Sequence, residues 1–131
     1  MDVRDAVEAD AERLAELTDT PTDVMRNLVH DRTVRVAEES EEVLGFVSFD
    51  ARRDTVHVTQ IEGTADAEAR LLEEPCRFAR NERMAVEMLV TGGDDDLQGI
   101  AENAGFENRG TGPVFGGTTT IWYRLEATPN A

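Results

Sequence analysis

Few side chains in this chain of 131 residues can do more than carry charge: two histidines, one cysteine and one tyrosine stand among 28 aspartates and glutamates. His57 lies in an alternating segment, its side chain opposite Val56 and Val58. An imidazole there can exchange a proton near neutrality, although a hydrogen-bonded sheet histidine is the plainer reading. Glu62 stands where that segment gives way to a long helical one, a place for a carboxylate base or for a solvated turn residue. Asp94-Asp95-Asp96 offers hard oxygens of the kind Ca²⁺ or Mg²⁺ takes. The run lacks the spacing of a dedicated loop, and three acids at a helix start suit its macrodipole, so no metal site is expected. Cys76 alone forms no internal disulfide, and with only His30 and His57 beside it a zinc cluster is excluded. His30 fits a helix C-terminus. Arg77, Arg80 and Arg83, spaced i, i+3, i+6 near Glu73, Glu74 and Glu82, read as surface ion pairs worth little each.

The charge balance narrows the function classes. The net charge is −15, and all 13 basic residues are arginine. Without a phosphate-neutralising surface, nucleic-acid binding is not expected. Lysine depletion beside acid enrichment resembles proteins of extreme halophiles. At about 1 M salt the Debye length falls to ~3 Å and acidic self-repulsion is screened. No apolar run approaches the roughly 20 residues of a membrane helix, and no signal-peptide pattern opens the chain. The expected product is a soluble, cytoplasmic protein with no membrane partner, as a monomer or homodimer.

Periodicity supplies the frame for these residues. Residues 1–7 alternate as a short strand, and Ala9–Leu17 has helical spacing with Glu8 or Asp10 near its positive end. A second helix opens with Thr20 as N-cap and Pro21 at its first position. Thr33–Glu39, Val43–Ala51 and Thr55–Ile61 alternate with short turns between them, an antiparallel meander. Thr64–Glu82 is the longest helix, with Pro75 inside it expected to kink it. Met84–Val90 is a continuous apolar run of the kind covered on both faces. Asp94–Asn103 is a helix closed by a left-handed Gly105. Phe106–Gly110 and Thr118–Leu125 are the last strands around a Gly-rich loop, and Trp122 and Tyr123 should alternate faces with one in the core. The order β-α-α-β-β-β-α-β-α-β-β makes one α/β (α+β) domain over residues 1–125, with a short tail at 126–131 and a mixed, mostly antiparallel central sheet.

That order, with Gln60-Ile61-Glu62-Gly63-Thr64-Ala65 and Ala101-Glu102-Asn103-Ala104-Gly105-Phe106-Glu107, resembles the GNAT family of N-acetyltransferases over nearly the whole chain. The first stretch fits the family's acetyl-CoA pattern Q/R-x-x-G-x-G/A, and the second its helix-end "GF" stretch. The resemblance implies that acetyl-CoA is the co-substrate and that Gln60, Ile61, Glu62, Gly63, Thr64 and Ala65 hold its pyrophosphate. Backbone N–H groups and the helix N-terminus would do this, with the neutral Gln60 side chain as a further donor. It also implies that the acyl arm enters where Thr55–Ile61 and Met84–Val90 splay. Direct attack by an amine of a small molecule or protein would follow, with Glu62 or His57 as the base. A second register aligns Leu71-Leu72 with the family's helix leucines. It puts Asp66 and Glu68 where the family has glycines, and carboxylates there repel phosphates. Ala101 stands where many members carry a tyrosine acid, and Asp94 where they carry an asparagine. These departures motivate a second expectation from another class, an acyltransferase-fold binding module without catalysis.

Overall fold

The computed structural model describes residues 1–127, so residues 128–131 of the expected tail lie outside it. Chain order is β1 (Asp2–Asp5), a 3₁₀ turn (Glu8–Asp10), α1 (Ala11–Thr18), α2 (Thr22–Asp31), β2 (Thr33–Glu39) and β3 (Glu42–Arg52). There follow β4 (Thr55–Gly63), α3 (Ala65–Glu82), β5 (Ala85–Thr91), α4 (Asp95–Asn103), β6 (Glu107–Thr111) and β7 (Thr120–Leu125). The strands form one seven-stranded sheet in the order β1-β2-β3-β4-β5-β7-β6. Every neighbouring pair is antiparallel except β4 and β5. Those two are joined through α3, the crossover that a parallel pair requires. The mixed, mostly antiparallel sheet expected from the periodicity is the one observed.

Alternation along the strands divides the core in two. Val47, Val56, Val58, Val86, Met88 and Tyr123 turn to one face, where Leu71, Leu72 and Cys76 of α3 and Leu97 and Ala101 of α4 cover them. On the other face Val34, Val36, Val43 and Phe46 pack beneath Leu14 of α1 and Met25 of α2. These two helices cover β2 and β3 there, while His57, Glu87, Leu89 and Trp122 farther along the sheet stay at least partly open to solvent. Trp122 and Tyr123 do alternate, and Tyr123 is the fully buried one.

Several local expectations shift. Pro21 is the N-cap of α2 and Thr22 its first residue, one position later than the Thr20 cap. α3 includes Pro75, as the sequence places it, and Pro75 is buried. Its missing N–H removes one bond from the ladder, and packing on the sheet holds the rest. The first strand is shorter than expected because Val7 caps the 3₁₀ turn. Gly105, at φ 96°, takes the left-handed conformation expected of it.

Candidate functional site

The site begins where two strands part. β4 and β5 pair from Thr55–Ala85 to Val58–Met88 and no farther, although β4 continues to Gly63 and β5 to Thr91. The cause lies one residue on, where Ser48 pairs with Gln60 and Phe49 with Val58, leaving Thr59 as an extra residue in β4. Such a bulge bends and twists its strand. It is pinned here by the Thr59 hydroxyl, 2.7 Å from the Ser48 hydroxyl and donating to the Ser48 carbonyl at 3.1 Å. Beyond Val58 the β5-facing edge of β4 therefore has no strand partner.

Two cavities meet at this split. One, of about 160 Å³, lies on the α4 side between Thr59–Glu62 of β4, Thr91 of β5, and Asp94 and Leu97 at the start of α4. The other, of about 480 Å³, opens on the opposite face between His57, Glu87, Leu89, Trp122 and Pro113. Val58, Met88 and Leu89 line both.

The expected site residues divide between these cavities. Gln60, Ile61 and Glu62 line the smaller one, but with Gly63 they are strand residues, paired with Ser48, Val47, Phe46 and Gly45 of β3. Thr64 is the N-cap of α3, its hydroxyl accepting from the Ala67 N–H at 3.2 Å, and Ala65 is the first helical residue. The Thr64 N–H goes to the Leu44 carbonyl at 3.2 Å and the Glu68 N–H to the Thr64 carbonyl at 2.9 Å. Only the N–H groups of Ala65 and Asp66 remain open at this end of the helix. Gly63 serves the strand pair itself, since a Cβ on it would run into Leu44 and Gly45. Leu71 and Leu72 are both buried, and Asp66 and Glu68 occupy the first turn of α3.

Carboxylates gather at this end of the site. Asp94 caps α4 by accepting from the Leu97 N–H at 3.1 Å. Burial, and then Asp94, pushes the Glu62 carboxyl above the usual carboxylate range. Glu68 is pushed up to about 7 by burial first, then by Asp94, Glu62 and Asp96. Acids from β4 and the start of α4 thus converge on Glu68 of α3. The spacing of Asp66 and Glu68 was legible as a warning; the approach of Asp94 and Asp96 was not. Among the described residues no group of three or more His, Cys, Asp or Glu has the arrangement of a metal site.

On the other face, His57 Nδ1 stands 3.9 Å from Glu87 Oε1, and Glu87 Oε2 accepts from Arg124 at 2.7 Å. Arg124 also donates to Glu126 at 2.6 Å. The sequence singled out His57 and not Glu87, Leu89 or Trp122, which the β4–β5 register and the β5–β7 pairing bring beside it. Ala101 is buried in the core, and the Tyr123 hydroxyl donates to Glu102 at 2.8 Å. Burial and then Glu102 push that phenol up to about 12.

No protein-family model matches this chain, and no curated protein matches it in sequence. Solved structures do. YncA of Salmonella typhimurium, solved with its cofactor acetyl-CoA, superposes with a TM-score of 0.83 at 18% identity over 100% of this chain and 96% of its own. The ribosomal-protein-alanine N-acetyltransferase of Brucella melitensis gives 0.80 at 18% identity, over 96% of this chain and 99% of its own. NAA60 of Arabidopsis thaliana, in complex with a bisubstrate analogue, gives 0.79 at 14% identity over 95% and 96%. At these identities the likeness speaks for architecture, and the architecture of this chain is the GNAT N-acetyltransferase fold.

Proposed function

We propose that this chain is an N-acyltransferase that moves an acetyl group from acetyl-CoA to an amine of a small molecule or protein by direct attack, with no acyl-enzyme. One observation carries the reading: two cavities, one from each face of the sheet, meet at Val58, Met88 and Leu89 where the β4–β5 ladder ends. A donor in one cavity and an acceptor in the other would share that wall.

The thioester arm of acetyl-CoA fits the smaller cavity. Val58, Ile61, Met88 and Leu97 are the apolar part of a mostly polar lining, and the unpaired edge of β4 offers peptide groups to its amides. The diphosphate end meets Glu62, Glu68, Asp94 and Asp96, so its place is favourable only when protons or counter-ions neutralise those acids. Bound acetyl-CoA supplies an activated acyl group. The chain's part is to hold the arm in line and to offer free strand N–H groups to the acyl oxygen, so positioning and backbone polarisation do most of the work. His57, at the mouth of the acceptor cavity beside Glu87, takes the amine's proton directly or through one water. Glu62, on the donor side, is the alternative base. With Ala101 and the Glu102-bound Tyr123 unavailable, the thiolate leaves without a protein acid. That forgoes about 10²–10⁴-fold in rate.

The four carboxylates specifically favour a second reading, a binding module of the same fold that has lost its acyl donor. Calorimetry with acetyl-CoA in ~2 M KCl, where screening is nearly complete, separates the two. A saturable complex, with thiol release when amines are added, supports the transferase. A folded sample that binds nothing supports the module.

A further inference from the structure

We propose that the acceptor cavity takes a primary amine carried on a flat apolar body, with the ring against Trp122 and the ammonium toward Glu87 and His57; the inference rests on the acyltransferase reading above. At about 480 Å³ the cavity is in the range that holds a small organic molecule. Its apolar and polar parts are separated. Leu89 and Trp122 are directly paired across β5 and β7, and at 42% and 37% exposure they are large apolar side chains left open on a sheet face. The segment after β6 closes over them. A Cβ on Gly112 would meet Leu89 Cδ2 at 2.8 Å and Thr120 Oγ1 at 2.7 Å, so glycine lets this backbone press down, and Pro113 adds a flat wall. An aromatic or alicyclic ring fills such a slot, and an indole face also attracts a cation held over it.

The polar end selects charge. Glu87 gives one carboxylate oxygen to Arg124 and turns the other to His57, 3.9 Å away. Arg124 is itself shared with Glu126, which also accepts from Arg109 at 2.9 Å. The Glu87 oxygen turned toward His57 is the one that no arginine takes, and in a chain whose overall charge is −15 it draws in a cation and turns away a carboxylate. The ammonium end then lies beside the imidazole that removes its proton, near the Val58–Met88 junction where the other cavity arrives.

Trp122 is the chain's only tryptophan, so its fluorescence reads this cavity whether or not acetyl transfer occurs. In ~2 M KCl, where the overall field is screened, titration with 2-phenylethylamine should give a saturable change. Ethylamine, lacking the ring, and 3-phenylpropionate, carrying the opposite charge, should bind at least about 10-fold more weakly. Glu87→Gln should weaken 2-phenylethylamine about 5-fold while leaving the weak 3-phenylpropionate response no weaker. No response to 2-phenylethylamine, equal responses to all three probes, or a signal that follows protein dilution and ignores amine would overturn the proposal; the last marks the patch as a contact between copies. A selective amine response with no acetyl-CoA complex removes the transferase reading and keeps the amine pocket. Acetyl transfer to other amines with Trp122 unresponsive does the reverse.

Discussion

Gly45 and Gly63 face each other across the β3–β4 ladder with no room for a side chain on either. A Cβ built on Gly63 would lie 2.5 Å from the Gly45 Cα, and one on Gly45 would lie 2.5 Å from the Glu62 carbonyl. Gly63 also has φ +135°, which L side chains rarely adopt. The glycine that marks the acetyl-CoA pattern in the sequence is thus needed by the strand pair before it is needed by any ligand.

Gly63→Ala should accordingly act on the fold. The strained φ and the overpacking together cost about 3 kcal/mol. Urea denaturation should show a lowered midpoint, with ligand affinity of the remaining folded protein changed little. A variant of native stability that had lost acetyl-CoA would instead return Gly63 to a cofactor cradle.

Glu68 sets a pH dependence whose sign is fixed. Its folded-state pKa, about 7, lies above its ordinary value of 4.5, so the ionised form opposes folding. That penalty is present above about pH 7 and is relieved as pH falls from 7 toward 4.5. Glu68→Gln should raise stability at pH 8 by about 1 kcal/mol, less than full linkage because the glutamine amide is itself a polar group taken out of water there. The gain should vanish by pH 4.5, and thermal melts at the two pH values measure it. An equal gain at both would mean that folding leaves the Glu68 pKa where it is in the unfolded chain.

Acetyl-CoA affinity should rise with salt. An ordinary phosphate site weakens as ions screen it, whereas here the acids at Glu62, Glu68, Asp94 and Asp96 must be screened first. Calorimetric Kd values should fall about 10-fold between 0.2 M and 2 M KCl, and Glu62→Gln/Glu68→Gln should flatten that dependence. Affinity that falls with salt would show that the diphosphate lies away from these acids.

Tyr123 should prove structural. Tyr123→Phe removes the 2.8 Å bond to Glu102 from a fully buried ring and should cost about 1 kcal/mol. Acetyl transfer per folded molecule should stay within about twofold. A loss of 10²-fold or more in the rate at unchanged stability would make Tyr123 the missing acid.

Much of the frame could be read from periodicity because alternation and helical spacing are local properties. The meander from Thr33 to Ile61, the long helix after it and the Gly105 cap needed only neighbours in sequence. The N-cap of α2 moved from Thr20 to Pro21, a one-residue difference of the size by which helix ends ordinarily vary. Cofactor pattern and helix leucines gave two registers, one keeping a cofactor loop at Gln60–Ala65 and one putting Asp66 and Glu68 in its place. The tertiary structure adds that Gln60–Gly63 pair with β3 and that Asp66 and Glu68 lie in the first turn of α3.

Sequence by itself determined the acidic surface, the strand and helix order, and the residues that have a proton to give or take. Only the tertiary structure decided which of them meet. His57 and Glu87 are neighbours because β4 and β5 run parallel in that register, and Trp122 joins them because β7 pairs with β5. Glu62 and Glu68 come under the influence of Asp94 because α3 and α4 start at the same end of the sheet. Such approaches depend on strand register and helix packing across long separations in sequence, and a pattern along one strand or helix carries no information about its neighbour.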